Sequence, residues 1–118
     1  MRETTMKKTL LAVACCIASA AACAAGNINN GKALAEKYAC ATCHGKDYNS
    51  PIDPSYPKLA GQHKDYLAHA LVAYKRGDGP NGRNNPIMGG LVKPLSNKDI
   101  ADLAAYLHSL PGNMVIKR

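Results

Sequence analysis

Beyond residue 25, hydrophobic positions recur with a helical period in three stretches and nowhere with the alternation of a strand. The clearest stretch is the last. Ile100, Leu103, Ala104, Leu107 and Leu110 share one face. Ser96 stands at the N-cap with Asp99 three residues on, close to a capping box, and Pro111-Gly112 stop the helix. A second helix spans about His63 to Arg76. Leu67, Leu71 and Tyr74 fall at i, i+4, i+7, Ala70 widens the face, and Gly77 closes it. The first runs roughly from Asn29 to Ala39, capped by Asn29 or Asn30. Ala33, Leu34 and Tyr38 form its apolar stripe, with Lys32, Glu36 and Lys37 toward water. Gly31 inside this helix marks a close approach of another backbone or ring. Gly45–Gly61 holds Pro51, Pro54 and Pro57, and Gly77–Gly90 holds five Gly, two Pro and three Asn. Both are expected to be loops. The predicted class is all-α, three main helices joined by long loops.

Residues 1–25 have the pattern of a secretory signal. Arg2, Lys7 and Lys8 give a basic start, Thr9–Ala25 is uncharged, and Ala22-Cys23-Ala24 has the spacing of a cleavage site. Cleavage is expected near Ala24 or Ala25, leaving residues 26–118 as one domain with no stable membrane span. The uncharged stretch is short and Ala-rich for a retained anchor. Lipid attachment at Cys15 or Cys23 is a minor alternative.

The chain has 118 residues, enough for one small domain and too few for a multidomain enzyme. It lacks Trp and Phe, and six Tyr are its only aromatics. A domain so short of core volume needs a disulfide, a metal or a cofactor to complete it. Cleavage would remove Cys15, Cys16 and Cys23 and leave Cys40 and Cys43, three positions apart. Two such cysteines do not make a disulfide scaffold. The formal charge of +7 for the whole chain falls to +5 without Arg2, Glu3, Lys7 and Lys8. That excess suits an acidic protein surface or anionic lipid. No dense basic run supports nucleic-acid binding.

Cys40-Ala41-Thr42-Cys43-His44 is the decisive feature. C-x-x-C-H is the attachment signature of c-type haem. Thiols at i and i+3 lie on one side of a helical turn, where each can add to a porphyrin vinyl group. His44 is then placed beneath the iron as an axial ligand. A thioredoxin-like dithiol would need a βαβ context, and none is visible. A zinc site using His63 and His69 fails on geometry, because the two would lie about 120° apart on one helix at ~100° per residue. A covalent haem would also supply the missing core volume.

Four motifs in order carry a family resemblance: Cys40–His44, Tyr56-Pro57-Lys58-Leu59-Ala60-Gly61-Gln62, Asn85-Pro86-Ile87-Met88, and the closing helix Asp99–Leu110. Over nearly all of Gly31–Gly112 the chain resembles class I c-type cytochromes of the small bacterial mono-haem kind. It is also similar to one haem domain of the bacterial dihaem cytochromes. The resemblance implies a class I cytochrome c fold around one haem c, linked through Cys40 and Cys43. It implies Met88 as the distal ligand opposite His44, with Met1 and Met6 in the signal and Met114 in a tail. His63 or His69 in that place is a minor alternative, and these two and His108 otherwise belong to the surface. The Pro57 carbonyl would accept a hydrogen bond from His44, and Leu59 would pack on the haem. Gly31 would cross Tyr106 or Leu107, although one extra residue separates Gly31 from Cys40 relative to the common family spacing.

The implied function is periplasmic single-electron transfer between redox partner proteins, by a monomer with no catalytic step of its own. Lys37, Lys46, Lys58, Lys64, Lys75, Arg76, Arg83 and Lys93 are candidates to steer an acidic partner. The alternatives are a haem subunit of a larger oxidoreductase complex, and a haem enzyme or gas sensor with a displaceable sixth ligand.

Overall fold

A computed structural model describes residues 26–114; the expected signal segment, 1–25, lies outside them. These residues form α1 (Ile28–Lys37), α2 (Cys40–His44), α3 (Lys64–Arg76), α4 (Pro86–Val92) and α5 (Asn97–Ser109), with no strand among them. The three long helices are those predicted from periodicity, and two short ones join them. None of the described helices is long and apolar enough to cross a membrane.

Local chemistry sets the boundaries. Ser96 Oγ accepts from the Asp99 N–H at 3.0 Å, and Asp99 Oδ2 accepts from the Ser96 N–H at 3.0 Å, completing the capping box of α5. The cap of α1 is Asn27, earlier than the Asn29 or Asn30 expected; its side chain accepts from the Asn30 N–H at 3.0 Å. The 77–90 segment departs from its expected irregularity. Asn85 caps and Pro86 opens α4, which carries Met88. Seven residues, two of them glycine, are too few to display a helical period.

Ile100, Leu103, Ala104 and Leu107 of α5 are buried as a set, and Leu67 of α3, Val92 and Leu95 join them. The α1 stripe holds at Leu34 and Tyr38, which pack half-buried against the core, and departs from the prediction elsewhere. Ala33 is exposed, whereas Gly31 and Ala35 are buried. Small residues face inward because α1 crosses directly on the backbone of α5. A Cβ built on Gly31 would stand 2.0 Å from the Asp102 carbonyl oxygen and 2.7 Å from Tyr106 Cβ. The crossing residues are therefore Asp102 and Tyr106.

Asp102 holds that crossing together. It is 2% exposed. Its carboxylate accepts from the Asn27 N–H at 2.7 Å, from Asn30 Nδ2 at 2.6 Å and from Lys98 Nζ at 2.7 Å. The negative charge also lies at the N-terminus of α1, where the helix dipole favours it. Burial alone would push the carboxyl pKa up. The Lys98, Asn30 and Asn27 donors outweigh it and hold the group below the usual carboxylate range.

Candidate functional site

α1 ends two residues before the Cys-x-x-Cys-His segment. The Ala39 N–H donates to the Glu36 carbonyl at 3.1 Å, and Ala39 itself is left-handed, at φ 52 and ψ 39. This turn breaks α1 and redirects the chain, so α2 starts afresh at Cys40. A left-handed L-residue costs about 1–2 kcal/mol. Glycine removes that cost and loses about 0.4–1 kcal/mol through the unfolded chain. Ala39→Gly is therefore expected to raise stability by about 0.5 kcal/mol, seen as a higher denaturant midpoint. A lower midpoint would mean the alanine methyl contributes packing that outweighs the strain.

Within α2, Cys40 and Cys43 are half-buried free thiols and His44 is 7% exposed. Burial pushes the Cys40 thiol pKa up, with a smaller like-charge contribution from Cys43. His44 Nδ1 lies 2.8 Å from the Pro57 carbonyl. A carbonyl can only accept, so this nitrogen carries a proton, and in the neutral imidazole it is Nε2 that keeps its lone pair. The Tyr56 ring stands 6.4 Å from the imidazole.

Pro57 is held in turn by the 45–61 loop. The Tyr48 carbonyl accepts from the N–H groups of Leu59 at 2.8 Å and Ala60 at 3.1 Å, and the Ile52 N–H donates to the Cys43 carbonyl at 3.0 Å. Tyr48 is 5% exposed, packs edge-on against Tyr106 at 6.2 Å, and burial pushes its hydroxyl pKa up to about 12. The loop is irregular, as predicted, but its backbone is bonded back onto α2.

Cys40, Cys43, His44, Pro57, Leu59 and Met88 all line one crevice. Its walls are mainly apolar, with Leu67 and Leu71 from α3, Val92 from α4 and Leu103 and Leu107 from α5. Met114 does not line it, nor do His63, His69 or His108. The three histidines are exposed, and His108 Nδ1 lies 2.8 Å from the Gln62 carbonyl. Two thiols, one imidazole with an unengaged nitrogen and apolar walls are what a covalently linked haem requires, and a thioether lies in the same crevice. The residues present fit that group.

Two lining side chains, Tyr66 and Arg83, are not singled out by periodicity or motif as part of the site, and neither is the polar role of Tyr74. Tyr74 reads as part of an apolar helical face and Arg83 as one basic residue among many. Only the amphipathic character of tyrosine hints that a polar cluster sits beside the crevice.

The cytochrome c family model matches residues 28–111, which contain the whole crevice. The chain belongs to the cytochrome c family. Its cofactor is accordingly covalently bound haem c, and the two thiols of α2 have the attachment spacing. Cytochrome c4 of Stutzerimonas stutzeri is 44% identical over 80 residues, which cover 64% of this chain and 38% of that protein. Cytochrome c-554(548) of Halomonas halodenitrificans is 41% identical over 70 residues, covering 59% of this chain and 82% of that one. The crystal structure of reduced recombinant cytochrome c4 from Pseudomonas stutzeri superposes with a TM-score of 0.63 at 38% identity. The match covers 75% of this chain and 48% of the c4 chain. This cytochrome c domain thus has the class I fold and spans under half the length of the c4 relatives.

Proposed function

We propose that this protein is a single-electron carrier of the periplasm, with one haem held by Cys40 and Cys43 and ligated by His44 and Met88. The convergence of these four side chains on one apolar crevice carries the reading. The bound haem supplies an iron that alternates between ferric and ferrous states. Pro57 keeps the His44 proton on Nδ1 and the ring orientation constant, which makes Nε2 a more basic ligand. Met88 supplies a soft thioether that favours the ferrous state. Held by His44 and Met88 between apolar walls, the haem would leave substrate no place at its iron. Small reorganisation and water exclusion suit electron transfer. The export pattern of residues 1–25 supports the location.

Visible spectra of exported holoprotein test the ligation. A far-red methionine–iron band is expected in the oxidised protein, absent in Met88→Ala, with no binding of carbon monoxide to the reduced wild type. Ready carbon monoxide binding by the wild type would replace the carrier with an open-site haem protein.

Charge supports encounter with an acidic redox partner. Of the eight candidate basic residues only Lys58 and Arg83 line the crevice, and no described Asp or Glu does. Lys75 is engaged elsewhere, donating to the Leu95 carbonyl. The second-order rate with an acidic redox protein is expected to fall at least severalfold between low and physiological salt. A rate indifferent to ionic strength would remove steering from the account.

A further inference from the structure

Arg83 lies in the glycine-rich stretch between α3 and α4, five residues before Met88. Its Nη2 stands 3.2 Å from the Tyr66 hydroxyl and its Nη1 3.5 Å from the Tyr74 hydroxyl. The guanidinium also sits over both rings, 5.8 Å from the Tyr66 centroid and 5.3 Å from that of Tyr74. Tyr66 and Tyr74 are eight residues apart on α3, about two turns, so one guanidinium spans the face between them. The Arg83 N–H donates to the Ala73 carbonyl at 2.9 Å, and its carbonyl accepts from the Asn85 N–H at 3.1 Å. Asn85 Oδ1 then accepts from the Met88 N–H at 3.0 Å. A continuous line of contacts runs from α3 through Arg83 to the Met88 backbone.

We propose that Arg83 is a positioning residue for Met88. Its guanidinium, clasped by Tyr66 and Tyr74, fastens the 77–88 segment to α3 and keeps the thioether on the iron. The inference rests on the proposed His44/Met88 ligation. Free of the clasp, a segment containing Gly77, Gly79 and Gly82 would gain much conformational freedom. A planar guanidinium can stack on an aromatic ring and donate in its own plane at once. Lysine, a point charge on a flexible stem, cannot. Each contact is individually modest, and together they suffice for about a tenfold effect on an opening equilibrium.

The test compares holoproteins of wild type, Arg83→Gln, Arg83→Lys, Tyr66→Phe and Tyr74→Phe. The readouts are the far-red band and the rates at which imidazole enters the ferric protein and carbon monoxide the ferrous one. Arg83→Gln is expected to speed ligand entry about tenfold, and Arg83→Lys severalfold, with far-UV circular dichroism unchanged. The two Phe variants keep the rings and lose the hydroxyls, so they fall between wild type and Arg83→Gln. They keep the test valid if Arg83→Gln does not fold. Wild-type rates in Arg83→Gln, or full rescue by lysine, would overturn the clasp, since lysine rescue would mean that charge alone matters. A wild type without the methionine band would overturn the ligation itself, before any clasp variant is compared.

Discussion

Replacing Gly31 by alanine is expected to lower folding stability by about 3 kcal/mol or more. In an exposed helix the same change would help, by about 1 kcal/mol, because alanine is the better helix former. Here the added Cβ would stand 2.0 Å from the Asp102 carbonyl oxygen and 2.6 Å from its carbon. Both atoms belong to the backbone of α5, so no rotamer change relieves the overlap. The helices must move apart along the whole crossing, and Ala35 and Ala104, at 1% and 0% exposure, would lose their packing. The packing loss outweighs the propensity gain. The displacement also reaches the site, because α1 leads through Ala39 into Cys40. Holoprotein melting is expected to fall by on the order of 10 °C or more, with a lower yield of haem attachment. A variant as stable as wild type would show that α1 can ride higher on α5 at no cost.

The second large effect is at Asp102. Asp102→Asn is expected to cost about 2–4 kcal/mol at neutral pH. The amide keeps the shape but loses the charge, and its NH2 group faces donors instead of acceptors. The Asn27 N–H and Asn30 Nδ2 then compete for one oxygen. Lys98 loses least, because its side chain is 67% exposed and water can take over.

The pH dependence has a definite sign. The folded carboxyl titrates below its unfolded value, so its contribution is complete above the unfolded pKa, about 4. It is lost as pH falls through the folded pKa. Asp47 and Asp53 are also lowered, chiefly by a backbone N–H of Asn49 and by the Ser55 hydroxyl respectively, but both are exposed and add little. The stability gap between wild type and Asp102→Asn is therefore expected to be constant above pH ~5 and to shrink below pH ~4, at up to about 1.4 kcal/mol per pH unit. Parallel curves down to pH 2 would mean that another group governs acid unfolding.

Gly31 and Asp102 act on the same crossing from opposite directions. One permits backbone contact, and the other supplies the polar bonds that fix its register. Neither touches the crevice. Their part in function is to hold the helix that delivers the thiols and His44 to a core otherwise short of volume.

Several features were legible residue by residue because their physics is local. The thiols at 40 and 43 and the imidazole at 44 occupy one helical turn whatever surrounds them. The capping box of α5 lies within four residues, and the buried faces of α3 and α5 repeat every turn. Each of these is decided within a window shorter than a helix. Gly31 was legible as a close approach, although its partners were not, since a missing side chain says that something is near and not what it is.

What joins distant windows waited on the tertiary structure, except where the family resemblance already implied it, as for the bond from His44 to Pro57. The stripe of α1 was incomplete, catching Leu34 and Tyr38 but not Gly31 and Ala35, because its deepest positions are chosen by backbone proximity and not by apolar volume. α4 was hidden because its cap and proline mark a start while its length allows no period. The bond from Asn27 to Asp102 spans 75 residues, and the Arg83–Tyr66 contact spans 17. No periodicity links such positions. Their energies appear only after the helices have packed, when a buried carboxylate or guanidinium must find partners at whatever separation along the chain the fold has brought close.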